Sequence, residues 1–217
     1  MKFLTLVLVG SLFVGSTSVS AQNASGQCVP SDQVELQQTM RKLWTDHVFW
    51  TRLYIISAIS KSADTPVVTS RLLKNQDEIG ATLTPFYGKN AAATLTQLLR
   101  EHILISAELV NAVLAKAKDD VKKADQKWHD NAVAIADFLS KANSNWTKQD
   151  LVDMLNRHLT LTTQEVTYRI EKKWPQDISN FDQILDQALD MADTFSSGIS
   201  YQFLEKKQNQ EQQPPQS

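Results

Sequence analysis

Residues 36–54 read LQQTMRKLWTDHVFWTRLY. Leu36, Met40, Leu43, His47, Trp50 and Tyr54 succeed one another at three- and four-residue steps. That spacing lays them along one face of an α-helix. The face is apolar except at its centre, where a histidine stands in place of a leucine. The arrangement recurs downstream. His102 falls on the stripe Leu95, Leu98, His102, Ile105, Leu109, and His158 on the stripe Leu151, Leu155, His158, Thr162, Val166. Each histidine lies near the middle of its predicted helix. In an antiparallel bundle, helix midpoints share one height, so the three imidazoles define a candidate buried polar layer.

The flanking sequence supports a run of helices. Ser31 is a good N-cap for a helix over residues 32–61. Thr65-Pro66 opens a second, with proline in its first turn, ending near Thr84-Pro85. Pro85-Phe86-Tyr87-Gly88 reads as a turn, after which Asn90 caps a third helix reaching Lys116. Asp119-Asp120 opens a fourth, ending at Asn143, and Thr147-Lys148-Gln149-Asp150 resembles a capping box for a fifth. A sixth begins at Pro175 or Asp177 and fades near Lys207. Strand signals and Asn-Gly or Asp-Gly hairpin turns are missing, and no repeat has a solenoid period. The expected fold is all-α: an antiparallel up-down bundle of about six helices in one domain over residues 31–207. The tail, residues 208–217, is rich in Gln and Pro and reads as disordered.

Residues 1–21 read as a secretory signal peptide. Met1-Lys2 is a short basic start, residues 3–14 are apolar, and Val19-Ser20-Ala21 fits a small-residue cleavage site. The apolar run is too short to span a bilayer. The expected location is therefore exported, periplasmic or secreted, with residues 22–30 a flexible leader. The formal charge is −2, and −3 once Lys2 is removed, so no strong field favours nucleic acid or an anionic membrane. The single cysteine, Cys28, stands in the leader and has no internal disulfide partner.

The polar layer extends beyond the histidines. Asn75 and Gln76 sit mid-helix between Leu72 and Ile79, and Asn131 sits on the stripe Val121, Ala124, Trp128, Asn131, Ile135, Phe138. The sixth helix shows the apolar face Phe181, Ile184, Leu185, Ala188, Ala192, Phe195, Ile199, with no polar member expected. His129 is one residue off its stripe and should point outward. A buried polar group without a partner costs on the order of 1–3 kcal/mol. Left unpaired on five helices, such groups would consume most of a domain's margin of about 5–15 kcal/mol. They must bond to each other, to water or to a ligand. Asp46 and Glu101 precede two of the histidines and would flank the site; Trp44, Trp50 and Trp128 would wall it.

Two readings follow. In one, His47, His102 and His158 bind a metal ion (zinc, copper or iron) or a small polar ligand, with Asn131, Gln76, Asn75, Asp46, Glu101 and Trp50 around it. In the other, the layer is a packing network in a non-enzymatic structural or interaction protein. The helical zinc and di-iron signatures, nucleotide-binding glycine loops and the Gly-x-Ser-x-Gly elbow are missing, so the sequence assigns no reaction.

Residues 46–52 (DHVFWTR) and 85–88 (PFYG), with Arg100-Glu101-His102 and Arg157-His158-Leu159, resemble a family of small bacterial all-helical proteins of unassigned function. Some members carry glycosyltransferase or acetylglutamate-kinase labels. The resemblance runs from the first helix to the sixth and matches at His47, His102, Asn131 and His158. The family has an acidic residue where this chain has Arg157, and no histidine at the place of His129. The resemblance implies the bundle fold and supplies no reaction.

Overall fold

The computed structural model describes residues 31–204. The expected signal peptide, leader and tail, with Cys28, lie outside that range, as do residues 205–207 of the expected sixth helix. Six helices follow in order: α1 Ser31–Ser60, α2 Thr65–Ala81, α3 Thr84–Leu114, α4 Lys118–Ala142, α5 Lys148–Ile170 and α6 Trp174–Ile199, which runs into a π-helical turn Ser200–Leu204. Among the described residues there is no strand. Each helix packs on its chain neighbours, and α6 returns against α1 to close the ring. The protein is the expected all-α up-down bundle, closed on itself.

Local chemistry accounts for most helix ends. Pro66, Pro85 and Pro175 stand in first turns, where a missing N–H costs nothing. Thr147 caps α5 by accepting a 3.2 Å hydrogen bond from the Asp150 N–H. The expected turn at 85–88 is present: residues 84–87 close as one short helical turn, and Gly88, where φ is +80° and ψ 171°, separates it from the long helix. That conformation is essentially confined to glycine. The continuous part of α3 therefore begins after Gly88, beside the expected start at Asn90.

The ring is three copies of one helical hairpin, a period the sequence reading did not register. α1, α3 and α5 each end at a lysine in the left-handed region: Lys61 (φ 55°), Lys116 (φ 57°) and Lys172 (φ 59°), spaced by 55 and 56 residues. In each, the next N–H reaches back five residues: Ser62 to Ser57, Ala117 to Ala112 and Lys173 to Tyr168, at 2.9–3.0 Å. This is the Schellman ending, which satisfies carbonyls the helix leaves open. The interior follows the same period. Met40, Leu95 and Leu151 are equivalent, as are Ile55, Val110 and Val166. In the returning helices, Ile79, Ile135 and Met191 correspond, and so do Gly80, Ala136 and Ala192.

Candidate functional site

His47, His102 and His158 occupy one repeat position on α1, α3 and α5, and all three are buried. The antiparallel closure brings them together. The His47 and His158 ring centres are 5.5 Å apart, and those of His102 and His158 6.5 Å. The apolar residues one turn before each histidine belong to the main core, while Ile55, Val110 and Val166 beyond it form a second, smaller cluster.

Each ring is held through Nδ1 by an amide of its own hairpin, 29 residues on. Asn131 Oδ1 lies 2.7 Å from His102 Nδ1, and Asn131 Nδ2 donates to the Leu98 carbonyl at 3.1 Å. Gln187 Oε1 lies 3.3 Å from His158 Nδ1, and Gln187 Nε2 donates to the Met154 carbonyl at 2.8 Å. In both cases the carbonyl accepted is four residues before the histidine. The amide N–H is committed to the backbone, so its oxygen must face the ring. An oxygen of this kind only accepts, so Nδ1 carries the proton and Nε2 a lone pair.

The first hairpin varies the device. Asn75 takes the backbone role, donating to the Leu43 carbonyl at 3.0 Å. Gln76 takes the ring. Its Nε2 faces the Leu72 carbonyl (2.9 Å), Asn75 Oδ1 (3.0 Å) and His47 Nδ1 (3.2 Å). With Gln76 donating, His47 Nδ1 accepts and its proton sits on Nε2. Gln76 Oε1 is buried and has no hydrogen-bond partner among the described residues. The three Nε2 atoms thus comprise one donor and two acceptors.

Burial keeps the rings neutral. It lowers His102 to about 3 and His158 to about 4, and takes His47 well below the usual imidazole range, with a further contribution from the other two histidines. Trp44 stands edge-on to His47 at 5.7 Å, and Trp128 lies over His102 at 5.3 Å. Neutral imidazoles can ligate a metal or exchange hydrogen bonds with a small polar molecule, and they need not lose a proton to do either. Among the described residues, no group of three or more His, Cys, Asp and Glu side chains stands at metal-binding spacing.

The structure brings His47, His102, His158, Asn131, Gln76 and Asn75 together, and leaves three expected members outside. Asp46 turns to the surface, where it pairs with Lys42 and Arg71. Glu101 is exposed and bonds Gln97. Both adjoin a histidine in sequence, and the helical rotation of about 100° per residue carries them off the inner face. Trp50 lies under the Arg71 guanidinium at 5.1 Å rather than beside the histidines. His129 points outward as expected and bonds Asn156. The apolar reading of α6 needs correction, because Gln187 completes the layer. Its signal was present: Gln187 stands three residues after Ile184, and each of the three layer histidines has an amide 29 residues on.

A second buried polar cluster was missed. Arg52 bridges Glu165 and Asp177, reaching both Asp177 oxygens at 3.0 Å, and Arg169 adds a 2.9 Å bond to Asp177. Both carboxylates are almost fully buried. Burial raises Glu165 to about 7 despite Arg52. For Asp177 burial also pushes upward, but the bonds from Arg52 and Arg169 outweigh it and hold the carboxyl below its usual range.

No family model matches the sequence, and no curated protein or solved structure is significantly similar to it. The resemblance carried by residues 46–52 and 85–88 and the histidine motifs rests on those residues alone.

Proposed function

We propose that this protein is an exported helical bundle that holds a transition-metal ion or a small polar ligand among His47, His102 and His158. One observation carries the reading. A holding device is built twice in one form, with an amide oxygen on Nδ1 of a neutral imidazole and a backbone carbonyl fixing that amide, and a third time in a variant that divides the two roles between Asn75 and Gln76. Protein metal sites orient their histidines through the second nitrogen in this way. Three imidazoles on one tetrahedral ion, at about 2.0–2.1 Å from each nitrogen, set their ring centres about 5–5.5 Å apart. One pair stands at 5.5 Å, and the 6.5 Å pair needs about 1 Å of approach. Lone pairs on all three Nε2 atoms require the His47 proton on Nδ1 and Gln76 Oε1 facing it, a turn of the amide that gives up its bonds to the Leu72 carbonyl and Asn75 Oδ1. Zinc, copper and iron all accept imidazole. No general base is assigned, so the proposal stops at binding. Export rests on the signal-like residues 1–21. The charge of −2 gives no support to a nucleic-acid partner, and no described helix is long and apolar enough to cross a membrane.

Elemental analysis of untagged protein purified without chelator tests the reading, with His102→Ala as control. The expected result is near-stoichiometric metal that is lost in the control. A metal-free protein that also fails to take up added zinc, copper or iron removes the metal from the proposal.

The donation from Gln76 to His47 favours a second reading, a structural or interaction protein in which the layer fixes helix register. The double change His47→Leu with His102→Leu separates the two. Stability that is kept or raised supports the packing network, whereas loss of bound metal from a folded variant supports the site.

A further inference from the structure

Phe49, Leu53, Trp174 and Ile178 are large apolar side chains left 46%, 44%, 48% and 56% exposed among the described residues. They share one face of the ring. Phe49 stands edge-on to the buried Phe181 at 5.6 Å, where α1 meets α6. One residue further along each helix from the bonded pair Arg52 and Asp177, Leu53 lies beside Ile178. Trp174 stands one turn before Ile178 on α6. The hairpin repeat shows that the fold does not require this apolarity. In the α4–α5 seam, Thr160 and Gln164 hold the places of Phe49 and Leu53, and Lys118 and Lys122 those of Trp174 and Ile178; all four are exposed. One seam is solvated where its counterpart is apolar.

Area and charge decide what covers the face. At half exposure the four side chains present roughly 400 Å² of apolar surface. A stable interface takes about 800 Å² from each partner, and its core is about 65% apolar. The face supplies most of such a core. The chain's own ends do not supply the cover. Residues 205–217 hold no apolar side chain except proline. Residues 22–30 reach at most about 32 Å, and Leu53 lies about 33 Å along α1 from Ser31. The apolar run 3–14 belongs to the expected signal peptide. The charges on α6 suit a second copy. Asp182 and Asp186 follow Ile178 by one and two turns, Lys172 precedes Trp174, and all three are exposed. Glu171 and Lys173 neutralise each other at 2.7 Å. A two-fold axis across α6 at Ile178 brings the two acids of one copy opposite Lys172 of the other.

We infer that this face is the contact between two copies of the chain, with α1 and α6 of one copy laid antiparallel on α1 and α6 of the other. Ile178 packs on its own equivalent, and each copy's Trp174 falls beside the other's Phe49. The contact requires no metal and shares no residue with the imidazole layer.

The experiment is sedimentation equilibrium of untagged protein from about 1 to 200 μM, under reducing conditions that exclude a Cys28 disulfide. A monomer–dimer equilibrium within that range is expected. Leu53→Glu with Ile178→Glu sets carboxylates against each other at the contact and should weaken it at least about a hundredfold. Leu104→Glu is the control: Leu104 is 48% exposed at the place of Phe49 in the second hairpin, and its change should leave the dimer intact. Circular dichroism checks the folding of each variant. Wild-type hydrogen exchange gives a readout without variants, and should slow with rising concentration in residues 49–60 and 171–182. A chain that stays monomeric at about 200 μM overturns the inference. A dimer undiminished in the folded double variant places the contact elsewhere and overturns it equally. Monomers that bind vesicles of phosphatidylcholine and phosphatidylglycerol through this face give it to a lipid surface, which also overturns it.

Discussion

Gln187 uses both ends of its amide, one on His158 and one on the Met154 carbonyl. Replacing it with leucine leaves the His158 Nδ1–H buried and unpaired. Gln187→Leu should lower unfolding free energy by about 1–3 kcal/mol in urea titration. Adding His158→Leu, which removes the stranded donor, should recover part of that loss. The histidines also make stability depend on pH. Their folded pKa values lie below the ordinary 6.5, so the unfolded chain binds protons that the folded chain refuses. Their stabilisation is complete above about pH 6.5 and is lost as pH falls towards 4 and 3. At pH 5, His102 and His158 should each cost about 2 kcal/mol. Glu165, raised to about 7, acts with the opposite sign, opposing folding as pH rises from 4.5 to 7. Three histidines against one carboxylate predict a net fall below pH 6.5 in metal-free protein, measured by denaturation across pH, and a shallower fall in the double variant. Periodicity alone revealed the histidines, because each sits on an apolar stripe. It could not pair them with amides, which lie 29 residues away on another helix.

At the scale of the helix, Lys61, Lys116 and Lys172 hold left-handed backbone that glycine adopts without strain. Lys→Gly at each position should raise stability by up to about 1 kcal/mol, and the three changes should add, since the sites lie on separate hairpins. Thermal melting of the singles and the triple checks this. Gly198 requires the opposite. A Cβ there would fall 2.0 Å from Trp146 Nε1 and 2.5 Å from its Cε2, and that indole is fixed by its bond to the Thr194 carbonyl. Gly198→Ala should cost about 1–3 kcal/mol, with quenching or exposure of Trp146 fluorescence as the local readout. The sequence showed most helices to within a few residues, because prolines, Thr147 and the apolar spacing act locally. The break at Gly88 before the long part of α3 was legible too; the single helical turn formed by Thr84 to Tyr87 was not. The hairpin repeat was legible in the spacing of the histidines. Its Schellman lysines were not, since lysine carries no left-handed preference that would mark it.

Closure of the ring is a property of the whole molecule. Arg52 of α1 ties Glu165 of α5 to Asp177 of α6, and its guanidinium lies 4.5 Å over Phe181. The first helix is thereby joined to the last pair. Arg52→Leu strands the buried Glu165 carboxylate and leaves Asp177 with Arg169 alone, and should cost about 3–5 kcal/mol, with amide exchange rising first in α6 and the end of α5. A substitution that replaced all the charges with apolar groups of similar shape should cost less, because the expense lies in the unpaired remainder. Glu165 and Asp177 escaped the sequence reading because acidic residues on a helix are ordinarily solvated; Arg52, far away in the chain, is what keeps them inside. The sequence by itself determined the all-α class, the up-down order of six helices and the three histidines on inner faces, because helical period and end signals are set by neighbours along the chain. Only the tertiary structure decided that α6 meets α1, that Gln187 joins the layer while Asp46 and Glu101 leave it, and that Phe49, Leu53 and Ile178 share one exposed face. Those outcomes depend on helix rotation and on pairing across the ring, and both are fixed by side chains remote in sequence that meet only when the bundle closes.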